Sequence, residues 1–209
     1  MTNRMSKSEL AFPRRKRTPS AQAQEYILRA ADELFYNEGI RAVSVDAVVE
    51  RAGINKMSLY RQFASKDELI LAYVNRQSKQ FWEEWETSVS KHSHQPRKQI
   101  IQFLTDLADK SSVGGYRGCC FINLAVEFPD PEHPARQLVF AHKKVLIQKL
   151  TDLTQAMGVT DPEMAAHSLA LWIEGMYAAS QTFGTNSDTI RMLPFIVEKL
   201  LDGAVPHHT

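Results

Sequence analysis

GINKMSLYRQFASKDELI, residues 53–70, crowds an Asn, a Lys, a Tyr and an Arg into one short segment. Leu59 and Phe63 lie one helical turn apart and define its buried side. Met57, Ser58 and Arg61 fall on the far side, Tyr60 on the flank and Lys56 in the first turn. A helix held by so few large apolar residues needs neighbours. Leu34, Phe35, Val45, Val48, Val49 and Ala52 are close in the chain and supply them.

The flanking sequence is punctuated by helix signals. Thr18 and Pro19 suit the N-cap and first position of a helix that Gly39 stops, and Ile27, Ala30, Ala31, Leu34 and Phe35 follow one buried face. Ser44 caps a short second helix, with Val43 and Val48 at the two ends of a hydrophobic staple, and Gly53 ends it. Asn55 caps a third helix, KMSLYRQF. Ser65 and Glu68 have capping-box spacing, and the fourth helix they open should run to about Val89. Two short helices joined by Gly53-Ile54-Asn55 form a helix-turn-helix arrangement.

In that motif the second helix enters the major groove of DNA, with its N-terminal residues at the base edges. Arg61 suits a guanine edge or a phosphate, Met57 a thymine methyl, and Ser58 either kind of edge. Lys56 and Tyr60 suit phosphates, while Ser44 and Lys66 stand at helix N-termini that attract them. The run Arg14-Arg15-Lys16-Arg17 closes a basic arm able to follow the backbone or a minor groove. Charge agrees with this division. Residues 1–80 carry 14 Lys and Arg against 9 Asp and Glu, and the remainder 11 against 15.

The rest of the 209 residues is also helical in pattern. Pro96 opens RKQIIQFLTDLADK, VGGYRG interrupts as a hinge or loop, and CCFINLAVEF follows. A long helix runs from ARQLVF to Gly158, another begins at Asp161-Pro162, and DTIRMLPFIVEKLLDG makes the last. The expected class is all-α with about nine helices. A flexible arm (1–17) precedes a three-helix DNA-binding domain (18–64), and a larger helical ligand-binding and dimerisation domain (65–209) follows. With 44% hydrophobic residues the chain can bury a core, and no apolar run of about 18 residues marks a membrane span. The N-terminus lacks the apolar stretch of a signal peptide, so a cytoplasmic protein is expected.

Residues 20–70 resemble the DNA-binding domain of the TetR family of transcriptional regulators. AADELFYNEGI, VSVDAVVERAGI, LYRQF and SKDELI carry the resemblance. Met57 departs from it, since family members often have Gly there. YRGCCFINLAVEFPDPEHPARQ, residues 116–137, is similar to a segment in one group of the family's ligand-binding domains. The resemblance implies a homodimer joined through its last two helices, a double-stranded DNA operator, and a small, apolar or aromatic effector. Ala165, Leu169, Trp172, Met176 and Ala179 form a stripe on one of those helices. Ile190, Leu193, Ile196, Val197 and Leu200 form one on the other.

A pocket is also implied, and its candidate lining residues are Phe81, Trp85, Phe103, Leu107, Cys119, Ile122, Asn123, Glu127, Phe140, Trp172, Met176, Tyr177 and Ser180. Every one of them fits an ordinary core as well. Asn123 and Glu127, one turn apart, are pocket polar groups or helix stabilisers. Cys119-Cys120 beside Arg117 permits thiol sensing as a lesser reading. His92, His94, His207 and His208 form no ligand set. With no nucleophile–base pair, metal set or cofactor fingerprint, catalysis is not expected. The reading is a ligand-responsive regulator, a repressor in the first instance; an all-α small-molecule carrier or enzyme without DNA binding is the alternative.

Overall fold

The computed structural model describes residues 20–184 and 187–204, all helix and connecting turns. The arm Arg14–Arg17 and the expected cap at Thr18-Pro19 lie outside the described residues. Three helices form the N-terminal unit: α1 (Ser20–Glu38), α2 (Val45–Ala52) and α3 (Lys56–Tyr60). Ile27, Ala31, Val48 and Leu59 are almost wholly buried at its centre, with Phe35 and Phe63 closing the sides. Ser44 accepts the amide of Ala47 at 3.1 Å, and Asn55 accepts that of Ser58 at 2.8 Å. Gly53, at φ 64°, turns α2 into the third helix. Its amide reaches Glu50 O, and the next amide, of Ile54, reaches back to Val49 O, the paired closure of a Schellman motif.

The third helix is shorter than its sequence suggests. It ends at Tyr60, and Arg61-Gln62 form a turn in which the amides of both Gln62 and Phe63 reach Leu59 O. The cause is the next cap: Ser65 takes an extended conformation (φ −148°, ψ 170°) to open α4 (Lys66–Ser90). Ser65 Oγ accepts the Glu68 amide at 3.1 Å, while the Glu68 carboxylate reaches one residue further back than a capping box requires, to the Ala64 amide.

Helix α4 continues into the second unit. Its Tyr73 meets Phe35 edge to face, centroids 5.4 Å apart. Beyond it come α5 (Pro96–Ser111), α6 (Cys120–Glu127), α7 (Pro134–Ala156) and α8 (Pro162–Thr182). Proline opens α5, α7 and α8, where its missing N–H costs nothing. The expected final helix is interrupted at Met192, giving α9 (Asp188–Arg191) and α10 (Leu193–Ala204). Pro194 is the reason: it has no amide to return to Ile190. Of the two expected apolar stripes, Leu169, Met176, Ile190, Leu193 and Val197 are buried within the chain's own core.

An aromatic cluster joins α4, α5, α6 and α7. Phe81, Trp82 and Phe121 surround His142, whose ring stacks on Phe121 at 3.9 Å and 25°. Ser78 Oγ lies 2.9 Å from His142 Nδ1, and no described protein group reaches Nε2. Burial holds this imidazole's pKa down to about 4, with the Lys143 charge adding to the effect. In the unfolded chain the ring takes up its proton near 6.5, so the stability that neutral His142 confers is present above that pH. It is lost as pH falls from about 6.5 to 4. We expect urea denaturation to show wild type losing on the order of 2–3 kcal/mol relative to His142→Phe over that interval. Parallel curves for the two proteins would contradict a buried neutral imidazole.

Candidate DNA-reading face and interdomain cleft

Helix α3 presents its polar side outward. Met57 is 71% and Tyr60 43% exposed, and Lys56 and Arg61 are exposed as well. Arg61 donates to Ser58 Oγ at 2.9 Å, which aligns two expected base-reading groups side by side. Lys56 forms an ion pair with Asp46 at 2.8 Å, and this contact pushes its pKa up. Both charges are exposed, so the pair is weak and can be exchanged for a phosphate. Lys66, also expected at a phosphate, is half-buried and reaches Arg41 O at 3.4 Å. Burial lowers its pKa against the opposing charges of Glu127 and Asp67. Ser44 is exposed and spends its oxygen on the α2 cap.

Helix α6 links this unit to the second one at both of its ends. At its C-terminal end the Glu127 carboxylate accepts the amides of Ile40 and Arg41, at 3.0 and 2.7 Å. Arg41 also donates to the Glu127 backbone oxygen at 3.3 Å. The turn between α1 and α2 is thereby held by a carboxylate from the other domain. Gly39 (φ 92°) starts that turn, and a Cβ there would stand 3.3 Å from Glu127 Oε1. At the other end, the Tyr36 hydroxyl donates to Gly118 O at 3.0 Å and accepts the Arg117 amide at 2.8 Å.

Beside the Tyr36 tie, on the side away from Glu127, lies a cleft of about 670 Å³. Its walls come from α1 (Asp32, Tyr36), α4 (Arg76, Gln77, Phe81), α5 (Leu107, Lys110), the loop at Tyr116 and Gly118, the N-terminus of α6 (Cys119, Cys120, Phe121) and Tyr177 of α8. Of the expected lining residues, it gathers Phe81, Leu107, Cys119 and Tyr177. Trp85, Met176 and Ser180 are buried, and Phe103, also buried, lines a separate groove between α4 and α5. Ile122 lines a separate groove between α6, α7 and α8, and Trp172 one between α8 and α10. Phe140 stands 62% exposed. Asn123 donates to Arg117 O at 2.9 Å, closing the start of α6.

The remaining cleft residues were not evident from sequence. Asp32, Tyr36 and Arg76 sit on helices whose buried faces read as local core, and only the folded chain turns them toward a common space. Arg76 pairs with Asp32 at 2.8 Å and Glu25 at 2.7 Å. Burial nevertheless raises the Asp32 pKa, outweighing the Arg76 charge. Burial likewise pushes up the thiols of Cys119 and Cys120, and the Lys143 charge offsets this only partly. Arg117 does not activate them, so neither thiol is the low-pKa nucleophile that thiol sensing calls for. Among the described residues no His, Cys, Asp and Glu group could hold a metal ion, and no helix is long and apolar enough to cross a membrane.

Residues 27–73 match the model for bacterial regulatory proteins of the tetR family. Over the whole fold, a TetR-family transcriptional regulator from Streptomyces coelicolor superposes with a TM-score of 0.84 at 29% identity, covering 89% of this chain and 97% of that one. The chain's helix-turn-helix domain thus matches that of the tetR family, and its whole fold is that seen in TetR-family transcriptional regulators. A stretch of 63 residues is 40% identical to the HTH-type transcriptional activator FasR of Mycolicibacterium smegmatis, and spans 30% of this chain but only 29% of that protein. An uncharacterized HTH-type transcriptional regulator of Lactococcus lactis is 26% identical over 73% of this chain and 80% of its own length. A TetR transcriptional regulator from Chloroflexus aurantiacus shares the fold at 22% identity, with a TM-score of 0.76 over 89% of this chain and 97% of that one.

The Glu127 tie has a direct test. Glu127→Ala should speed hydrogen exchange at the Ile40 and Arg41 amides by about tenfold or more and lower stability by about 1–3 kcal/mol. Unchanged exchange at both amides would show that the carboxylate does not hold the turn in solution.

Proposed function

We propose that the protein is a ligand-responsive repressor: a homodimer that binds a pseudo-palindromic operator and leaves it when a small molecule occupies the cleft. The observation that carries this reading is the position of α6. Its N-terminus lines the cleft and its C-terminus holds the α1–α2 turn, so one rigid helix touches both the ligand space and the reading head. Arg76 and Gln77 on α4 line the same space, giving a second route. An occupant that moves either helix changes the angle of α3. Ligand and DNA then oppose one another reciprocally, with a coupling of about 1–3 kcal/mol.

Dimerisation is supported by what α8 and the final helices leave uncovered. Met164, Leu171, Trp172, Phe183, Phe195 and Leu200 are all exposed, Leu171 by 74%. These differ from most of the residues in the stripes read from sequence, because the sequence pattern marks apolar positions without dividing them between core and partner. A second copy covering this face would place two α3 helices on successive turns of one duplex. Repression is our reading of the sign; the relative FasR is by its name an activator.

Selection of bound sequences from random duplex DNA by the purified protein should enrich a palindrome. On that palindrome Arg61→Ala should weaken binding about tenfold or more while leaving the dimer intact. Removing residues 1–17 should flatten the salt dependence of binding. Enrichment of no motif at low salt by a folded dimer would overturn the reading. An Arg61→Ala protein that binds as wild type would instead misplace the recognition helix.

A further inference from the structure

His142 is the one described side chain with a fully buried polar atom that no protein group meets. It is 4% exposed, on α7, with Nδ1 taken by Ser78 and Nε2 unmatched. Leaving such an atom without a partner is unfavourable, so a ligand that supplies the partner gains affinity by it. Two of the rings packed on the imidazole, Phe81 and Phe121, are at the same time walls of the cleft. His142 therefore stands one side-chain layer behind the cleft, screened by two aromatic rings.

We propose that His142 is a ligand-recognition group, and that the molecule it selects is a flat aromatic carrying a hydroxyl, of the phenol class, which inserts from the cleft between Phe81 and Phe121. This rests on the reading of the cleft as an effector site and names the chemistry of its occupant. Planarity follows from the walls: a ring that replaces one side of the Phe121–His142 stack keeps the aromatic contacts it displaces. The hydroxyl follows from the imidazole. With Ser78 on Nδ1, Nε2 is either an N–H donor or a bare acceptor, and a hydroxyl satisfies both tautomers. A carboxylate fits less well, since the adjacent cation, Lys143, is already paired with Glu174. Phe81 is only half-buried, so it is the ring that can swing aside. The stack also gives the occupant a mechanical consequence. Phe121 belongs to α6, so an occupant lodged against it bears on the helix whose other end holds Ile40 and Arg41.

The test is calorimetric titration of the full chain with phenol and with toluene, which match in shape and differ in the hydroxyl. Wild type should bind phenol about tenfold or more tightly than toluene. His142→Phe should bind the two alike, through loss of phenol affinity. In wild type, independent of any variant's folding, phenol and not toluene should shift the side-chain nitrogen resonances of one buried histidine. Equal affinities in wild type, binding of neither probe, a phenol preference that survives in His142→Phe, or an unmoved histidine resonance would each overturn the proposal. Operator binding measured on the same protein separates this outcome from the wider reading. A protein that reads a palindrome and ignores phenol loses only the His142 assignment; one that prefers phenol and reads no DNA keeps it and loses the regulator.

Discussion

The carboxylate of Glu127 accepts two consecutive backbone amides, those of Ile40 and Arg41, from a point 86–87 residues away in the chain. Those amides belong to the turn between the first two helices, and the turn fixes where α2, and through Gly53 the reading helix α3, sit. Helix α3 has little with which to hold itself: five residues, one cap, and the buried side chain of Leu59. Isolated, a helix of that length does not persist in water. Its orientation is therefore inherited from α1 and α2, and theirs is tied to α6. Two hydrogen bonds to a charged acceptor are a modest energy, of the same order as a typical coupling between two binding sites. A tie of that size can hold an orientation and still yield to a ligand.

The short length of α6 matters to this. Eight residues, closed at one end by the Asn123–Arg117 bond and at the other by the Arg136 guanidinium on Ala125 O and Phe128 O, behave as a strut more than as a packing helix. Tyr36 holds the loop before it through both a donated and an accepted hydrogen bond. On the proposed reading, a displacement at Cys119 to Phe121 is carried along this strut toward Glu127. Helix α4, which runs 25 residues from the cap at Ser65 past the cleft, supplies the second connection and explains why the cleft has a wall of charged groups from both units.

What sequence made legible follows the range of each interaction. Ser44, Asn55 and Ser65 cap the helices they were expected to cap, since a cap is a contact across three residues. The outward set on α3 follows from a 3.6-residue period anchored by Leu59. Pro194 was visible too, but its effect depends on whether a neighbouring helix tolerates the break. Glu127 stood among the candidates as a pocket group or helix stabiliser, and it is neither a cleft residue nor a local contact. Its partners lie in the other domain, and no local pattern encodes that. The same holds for Tyr36 and Asp32, whose partners lie in the loop before α6 and on α4. Aromatic residues divided worst of all. Phe81 and Phe103 look alike in sequence, yet one faces the cleft and the other lines a different groove, between α4 and α5.

His142 shows the reverse situation, a local oddity with a long-range meaning. A histidine among Phe81, Trp82 and Phe121 could be replaced by a phenylalanine without loss of shape. A core selected for stability alone would have no reason to keep an unmatched nitrogen and a ring that resists protonation until about pH 4. Ser78 meets the requirement of one ring nitrogen only, which fixes the imidazole's orientation and leaves the other nitrogen directed away from that bond. Fixing one side of a polar ring while leaving the second unmet is the arrangement of a binding group, whose stability deficit is recovered when the complement arrives. Placed one ring behind the cleft and stacked on α6, that deficit sits where its relief moves the helix on which the orientation of the reading head depends.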